Sequence, residues 1–289
     1  MVDQADVVVF RRNFHGLPAD DYARALRERL DDLTVAVART PREERELVRT
    51  AAVATGSHFD ESLLGHVGDL QLFACAYAGV DHLPVDELAE RGVTVTTASG
   101  VHGPNVAEHI VGTILLFTRR FQEGLRRQRH REWRSYPTRE LAGSTVAIVG
   151  LGAIGTATAD RLDAFDVETV GVRYTPAKGG PTDEVVGFDE LDEALAEAAY
   201  VVLACPLTDE TEGLIGAAEL NTIHPDAVLV NVARGPVVET DALVAALRKN
   251  HLRGAALDVT DPEPLPEDHP LWNFENVLIT PHNAGFTPV

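Results

Sequence analysis

Val146-Ala147-Ile148-Val149-Gly150-Leu151-Gly152-Ala153-Ile154-Gly155 is an apolar run that passes directly into a glycine-spaced turn. The four aliphatic residues read as a buried parallel strand, and the segment from Thr156 to Leu162 behind the turn can be helical. That context gives the spacing its meaning. Gly150 permits the tight turn, Gly152 lets the backbone approach a pyrophosphate, and Gly155 allows the helix to pack closely on the strand. The first N–H groups of such a helix are left for an anion. The stretch therefore reads as the phosphate-binding turn of a dinucleotide domain.

Working outward, further strand candidates follow at Thr169 to Val172, Tyr200 to Ala204, Ala227 to Val232, Gly254 to Leu257 and Val277 to Thr280. Counted with Ser144 to Val149 they make six, separated by helix-length segments, which suits a doubly wound sheet. Upstream, Val7 to Phe10, Leu33 to Val37, Leu70 to Ala76 and Val93 to Thr96 alternate with charged amphipathic stretches such as Asp20 to Leu30 and Arg42 to Arg49. That rhythm predicts a second parallel sheet. Gly100 to Pro104 breaks it, with Pro104 suited to the first turn of a helix running from Val106 through Phe117 into the basic segment Arg119 to Arg134.

The fold class expected is α/β, with two Rossmann-like or flavodoxin-like parallel-sheet domains and an active-site cleft between them. Residues 1–100 form the substrate-binding domain and residues 101–283 the dinucleotide-binding domain. Segment 284–289 and residues beyond it are expected to complete the first domain, so the sequence reads as truncated.

Composition narrows the partners. The chain has 289 residues, with 45 Asp and Glu against 25 Lys and Arg, and lysine occurs only at Lys178 and Lys249. A formal net charge of −20 leaves no basic stripe for nucleic acid. It also implies self-repulsion that concentrated salt relieves, which suggests a halophilic, haloarchaeal source. No apolar run is long enough for a membrane helix and no signal peptide precedes the first domain, so the cytoplasm is expected. Cys75 and Cys205 are far apart and sit in apolar runs, as core residues would, and no metal site is expected.

The strand after the glycine turn ends in Arg173-Tyr174-Thr175, where an acid would bind the ribose 2′-hydroxyl of NAD. An arginine there pairs with a 2′-phosphate, so NADP(H) is expected to be preferred or accepted, with NAD(H) possible. The other reading leaves Arg173 as a surface residue and gives the ribose to Asp183 or Glu184. Three polar residues follow later strands: Arg234 in Asn231-Val232-Ala233-Arg234-Gly235, Glu263 in Asp258-Val259-Thr260-Asp261-Pro262-Glu263-Pro264, and His282 in Thr280-Pro281-His282. An arginine fork grips a carboxylate and polarises a neighbouring carbonyl. An imidazole exchanges a proton with the carbonyl oxygen as hydride moves, and a carboxylate beside it fixes its tautomer.

In this order, behind a nucleotide fingerprint, these motifs resemble the D-isomer-specific 2-hydroxyacid dehydrogenase family. The resemblance extends over Ala78-Gly79-Val80-Asp81, Val106-Ala107-Glu108-His109 and Pro206-Leu207-Thr208 and so covers nearly the whole chain. It implies an oxidoreductase passing a hydride between NAD(P)H and a small 2-keto acid to give a D-2-hydroxy acid. Arg234 would bind the substrate, His282 would be the acid/base and Glu263 would orient it. The N–H groups of Ala78 and Gly79 would hold the substrate carboxylate from the first domain. It further implies cofactor contacts at Gly152, Ala153 and Ile154, at Cys205, Pro206 and Thr211, and at Ala233 and Asp258. A homodimer through the nucleotide domain would use the apolar face from Val106 to Phe121.

Formate as substrate is disfavoured by Glu263, where formate dehydrogenases of the superfamily carry glutamine. Asp261-Pro262-Glu263-Pro264-Leu265-Pro266 is similar to the glyoxylate/hydroxypyruvate reductase branch. The side-chain pocket is expected on the loops from Arg11 to Gly16 and Phe73 to Tyr77. Two other readings compete. A methyltransferase of Rossmann type leaves the Arg, Glu and His pattern unexplained, and a dinucleotide-sensing co-regulator keeps the fingerprint without turnover.

Overall fold

Parallel strands rich in valine and alanine, the central ones buried, organise both halves of the chain in the computed structural model, which describes residues 5–12, 17–80 and 82–286. The chain divides into two compact units, Met1–Val101 and His102–Val289. In the first unit the elements run β1 (Val7–Val9), α1 (Ala19–Arg27), β2 (Val35–Val37), α2 (Pro41–Leu47), β3 (Val53–Gly56), β4 (Leu72–Cys75), α3 (Val85–Glu90) and β5 (Thr94–Thr97). All pairings are parallel, in the order β2-β1-β3-β4-β5. Val8, Phe10, Ala54 and Phe73 pack with Leu47 and Leu88 on one face, while Val9 packs with Ala19 and Ala23 of α1 on the other. The chain therefore leaves β1 over one face and returns to β3 over the opposite one.

The second unit opens with α4 (Gly103–Thr118) and α5 (Phe121–Arg129). It continues through β6 (Thr145–Val149), α6 (Ala153–Leu162), β7 (Glu168–Val172), β8 (Glu184–Val186), α7 (Leu191–Glu197), β9 (Tyr200–Leu203), α8 (Ala217–Thr222), β10 (Val228–Asn231), α9 (Thr240–Arg248), β11 (Gly254–Leu257) and β12 (Val277–Ile279). Its seven strands are all parallel, ordered β12-β11-β10-β9-β6-β7-β8. Alternation along each strand divides the core. Ala147, Val149, Val201, Leu203, Leu229 and Leu257 meet α7, α8 and α9 on one face. Val146, Ile148, Val202, Val228 and Val230 meet α4 and α6 on the other.

Four expectations are corrected. The second sheet has seven strands, because Glu184–Val186 adds to the edge beside β7. A three-residue strand that begins with an exposed glutamate carries too little apolar pattern to be seen in sequence. The helix expected to run from Val106 into the basic segment breaks at Arg120, whose backbone is left-handed at φ 52°. The second helix ends at Arg129, and the stretch after His130 has neither helix nor strand until β6. The face from Val106 to Phe121 is not available to a partner copy over most of its length, since Val106, Ile110, Ile114 and Phe117 are buried in the sheet-facing core of their own unit. Finally, Phe73 to Cys75 belongs to β4, with Phe73 fully buried, so only Ala76 and Tyr77 of that expected loop lie outside the strand. The other expected loop, Arg11 to Gly16, falls outside the described residues beyond Arg12.

Both cysteines are buried free thiols, and among the described residues no cluster of acids, histidines and cysteines could hold a metal ion. Burial raises the Cys75 thiol above its ordinary pKa and pushes Cys205 up to about 11, so both stay protonated at neutral pH. Among the described residues no helix is long and apolar enough to cross a membrane.

Candidate active site

Every site residue that the sequence places in the second unit follows the carboxyl end of a parallel strand or lies in the turn or loop leaving it. The strand order reverses between β9 and β6, and a sheet of this kind opens a crevice at such a reversal. Gly150 has φ 102°, and a Cβ there would stand 2.5 Å from the Cys205 backbone nitrogen at the end of β9. A Cβ on Gly155 would stand 2.0 Å from the Gly150 carbonyl oxygen, so helix and strand touch through bare backbone. Gly152 differs from both, because nothing lies within 4 Å of where its Cβ would be. Ala153, Ile154 and Gly155 form the first turn of the ten-residue α6, where N–H groups lack intrahelical acceptors. Open space at Gly152 and donors behind it fit a pyrophosphate.

Arg173, Tyr174 and Thr175 lie just past β7, with the Tyr174 ring 80% exposed. Arg173 Nη1 donates to the Gly179 carbonyl, which ties the side chain across its own loop. The alternative ribose ligand Asp183 is already engaged. Its Oδ2 accepts from the Thr169 N–H and hydroxyl, both at 2.8 Å, and these bonds hold its carboxyl below the usual range. Glu184 opens the exposed edge strand β8. After β9, Cys205 is buried and Pro206 exposed, while the Thr211 hydroxyl donates to the Pro206 carbonyl at 2.6 Å and closes that loop on itself.

Beyond β10, the buried Asn231 shapes the arginine turn. Its Oδ1 accepts from the Ala233 N–H and its Nδ2 donates to the Arg234 carbonyl, both at 3.0 Å. Arg234, half-buried, donates from Nη1 to the Ala233 carbonyl at 2.8 Å. A Cβ on Gly235 would stand 2.0 Å from the Thr260 carbonyl oxygen, so the turn carrying Arg234 lies directly on the loop that leads to Glu263.

Glu263 and His282 are brought together. The imidazole Nδ1 lies 2.7 Å from Glu263 Oε1, with the two side chains 49% and 42% exposed. That contact assigns Nδ1 as the N–H donor and leaves Nε2 for a reacting group. The histidine is left-handed at φ 50°, which an L residue adopts at a cost of roughly 1–2 kcal/mol. Its loop is held by the buried Asp258. Oδ1 accepts from the Thr280 hydroxyl at 2.6 Å and the Asn283 N–H at 3.0 Å, Oδ2 accepts from the Ala284 N–H at 3.0 Å, and the Asp258 carbonyl accepts the His282 N–H at 2.8 Å.

Asp258, expected as a cofactor contact, thus positions the histidine loop, a role the sequence did not reveal. The signal available was its buried place at the end of an apolar strand, where a carboxylate must find donors. Asn231 was missed in the same way, although an Asn closing a strand commonly bonds the backbone two residues on. In the first unit, Ala78 and Gly79 lie in the turn after β4, with Gly79 at φ 89°.

Residues 111–284 match the NAD-binding domain of the D-isomer specific 2-hydroxyacid dehydrogenases. The chain is 40% identical over 237 residues to a glyoxylate reductase of Thermofilum pendens, covering 79% of this chain and 69% of that one. It is 35% identical over 262 residues to the human glyoxylate reductase/hydroxypyruvate reductase, covering 86% and 79%. Among solved structures, a D-isomer specific 2-hydroxyacid dehydrogenase from Xanthobacter autotrophicus in complex with NADPH and MES superposes with a TM-score of 0.84 at 30% identity, covering 98% of this chain and 90% of that one.

The three glycines should separate in experiment. Gly155→Ala drives a Cβ into backbone and should cost about 1–3 kcal/mol in urea unfolding. Gly152→Ala should leave stability within about 1 kcal/mol of the parent and weaken dinucleotide binding; equal effects on both readouts would contradict the assignment.

Proposed function

The chain belongs to the D-isomer specific 2-hydroxyacid dehydrogenase family, and from that premise we propose that it reduces small 2-keto acids to D-2-hydroxy acids with NAD(P)H, reversibly. The observation that carries this reading is the 2.7 Å contact of His282 Nδ1 with Glu263 Oε1, one loop away from the turn that bears Arg234. When bound, the dinucleotide supplies a hydride to the carbonyl carbon. The chain supplies the rest. Arg234 takes the substrate carboxylate in its guanidinium fork and polarises the keto group. Protonated His282 gives the Nε2 proton to the carbonyl oxygen and recovers it in the reverse direction. Glu263 keeps the ring in the tautomer and orientation this requires, and Ala78 and Gly79 contribute backbone N–H groups to the carboxylate. Two of the similar proteins are named glyoxylate reductases, which supports a short substrate such as glyoxylate or hydroxypyruvate.

For the cofactor we propose NADP(H), preferred or at least accepted, beside NAD(H). Three things support this: Arg173 follows β7, at a strand end where an arginine can pair with a 2′-phosphate, Asp183 is bound to Thr169, and a similar protein was crystallised with NADPH. We further place the protein in the cytoplasm of a halophile, as a homodimer through the second unit. Phe121, Leu125 and Trp133 support the dimer, being 53%, 52% and 104% exposed on a helix and the arm that follows it.

A panel of 2-keto acids followed by loss of reduced nicotinamide tests the reaction. His282→Gln should lose a hundredfold to ten-thousandfold in kcat, roughly the worth of a general acid, while still binding NADPH. A wild-type protein that binds NADPH and reduces nothing would be a sensor instead. Arg173→Ala should raise KM for NADPH well above its effect on NADH, and an equal change would return the residue to the surface. Raising KCl from about 0.1 to about 1 M should raise the thermal midpoint as the charge is screened; a midpoint that stays or falls would leave the acidic surface an ordinary one.

A further inference from the structure

The loop that presents His282 ends against α4. Asp258 holds it from one side, through Thr280, His282, Asn283 and Ala284. The far end has a different hold. The Gly285 carbonyl accepts a hydrogen bond from Asn105 Nδ2 at 2.6 Å, across 180 residues of sequence. Asn105 lies in the first turn of α4 and belongs to the same compact unit as the loop. One turn further along the helix, His109 Nε2 lies 3.5 Å from the Thr280 hydroxyl, which itself donates to Asp258. Ala284, next to the Asn105 contact, is buried in the core that includes Val106 and Ile110.

The support is itself fixed. Val106, Ala107 and Ile110 are buried, and a Cβ on Gly103 would stand 3.0 Å from the Ala153 carbonyl oxygen. The first turn of α4 therefore rests on the first turn of α6. His102, just before the helix, hydrogen-bonds the backbone of the same Gly285; burial holds its pKa below the ordinary histidine value, so the ring is neutral at pH 7. Asn105 stands there at a cost, because its Oδ1 is buried with no hydrogen-bond partner among the described residues. A buried acceptor left unpaired is destabilising, so packing alone does not account for an amide at this place. What the residue supplies is the donor. Without Nδ2 the Gly285 carbonyl loses its 2.6 Å partner, and the left-handed turn at His282 is held firmly only from the Asp258 side.

We propose that Asn105 is a positioning residue for His282: its amide fixes the far end of the loop on α4 and so keeps the imidazole at Glu263. Its effect on turnover rests on the acid/base role proposed above for His282. Its hold on the loop does not.

Three readouts test this. Asn105→Leu keeps the volume and removes the donor. In that variant kcat for keto-acid reduction should fall by roughly fivefold to a hundredfold, the equivalent of one buried hydrogen bond left unmade, with KM for NADPH within about twofold of wild type. In a His282→Gln background the same substitution should cost less than about twofold, because a residue that acts through the imidazole has nothing left to position. Without cofactor or substrate, amide hydrogen exchange at residues 282–286 should speed up in Asn105→Leu, with exchange in β6 and β9 unchanged. Glu108→Gln, at an exposed position of the same helix, should match wild type in all three. Asn105→Ala carries the same readouts should leucine prevent folding.

A kcat unchanged in Asn105→Leu, a loss of equal size in the His282→Gln background, or exchange at residues 282–286 that stays as in wild type overturns the inference. A wild-type protein that reduces no keto acid would instead overturn the reaction proposed above, with exchange still deciding whether Asn105 holds the loop.

Discussion

The carbonyl of Gly150 occupies the place where a side chain on residue 155 would begin, and much of the second unit follows from that contact. Because α6 can sit against the end of β6 with only backbone between them, its first turn points its N–H groups past the open position at Gly152. The neighbouring contact of Gly150 with the backbone of Cys205 fixes the loop after β9 beside it. Packing on the two sheet faces then sets the remaining strand ends at their spacing, because each core residue is locked between its neighbours and a helix. The chemistry is mounted on rigid strands, and only the loops between carboxyl ends and helices carry it.

A buried carboxylate does for the histidine what the glycines do for the helix. Asp258 gathers one hydroxyl and two backbone N–H groups from residues 280–284, and its carbonyl takes a third N–H, from His282 itself. Four bonds to one residue over-determine a loop that contains a left-handed histidine, which is how a conformation of higher energy persists. The exposed Glu263 contact then needs only to orient a ring whose backbone is already set.

Most of the parallel strands were legible because short aliphatic runs flanked by glycine have few other uses, and Val146–Val149 before Gly150 is the plainest case, whereas β3 (Val53–Gly56), with only two aliphatic residues before threonine and glycine, was not among the expected strands. Arg234, Glu263 and His282 were legible for a related reason, being polar residues just past such runs. What escaped notice lacked an apolar pattern or depended on side-chain pairing across distance. Glu184–Val186 is too short to show alternation, and the break at Arg120 lies between two stretches that each look helical. The burial of Val106, Ile110 and Ile114 against the sheet could not be told from an exposed dimer face, since an apolar stripe on a helix does not say what covers it. Asp183 illustrates the same limit: only three-dimensional proximity to Thr169 shows that its carboxylate is spoken for.

The margins of the seven-stranded sheet are β8 and β12, each just three residues long. A foreign polypeptide seeking to extend the sheet by hydrogen bonding would find little open backbone on either side, and at β8 it would first meet the carboxylate of Glu184. Brevity and charge at the borders guard against templated aggregation, a hazard that a long hydrophobic border would create. The same residue that hid this strand from the eye makes it a poor invitation to neighbours.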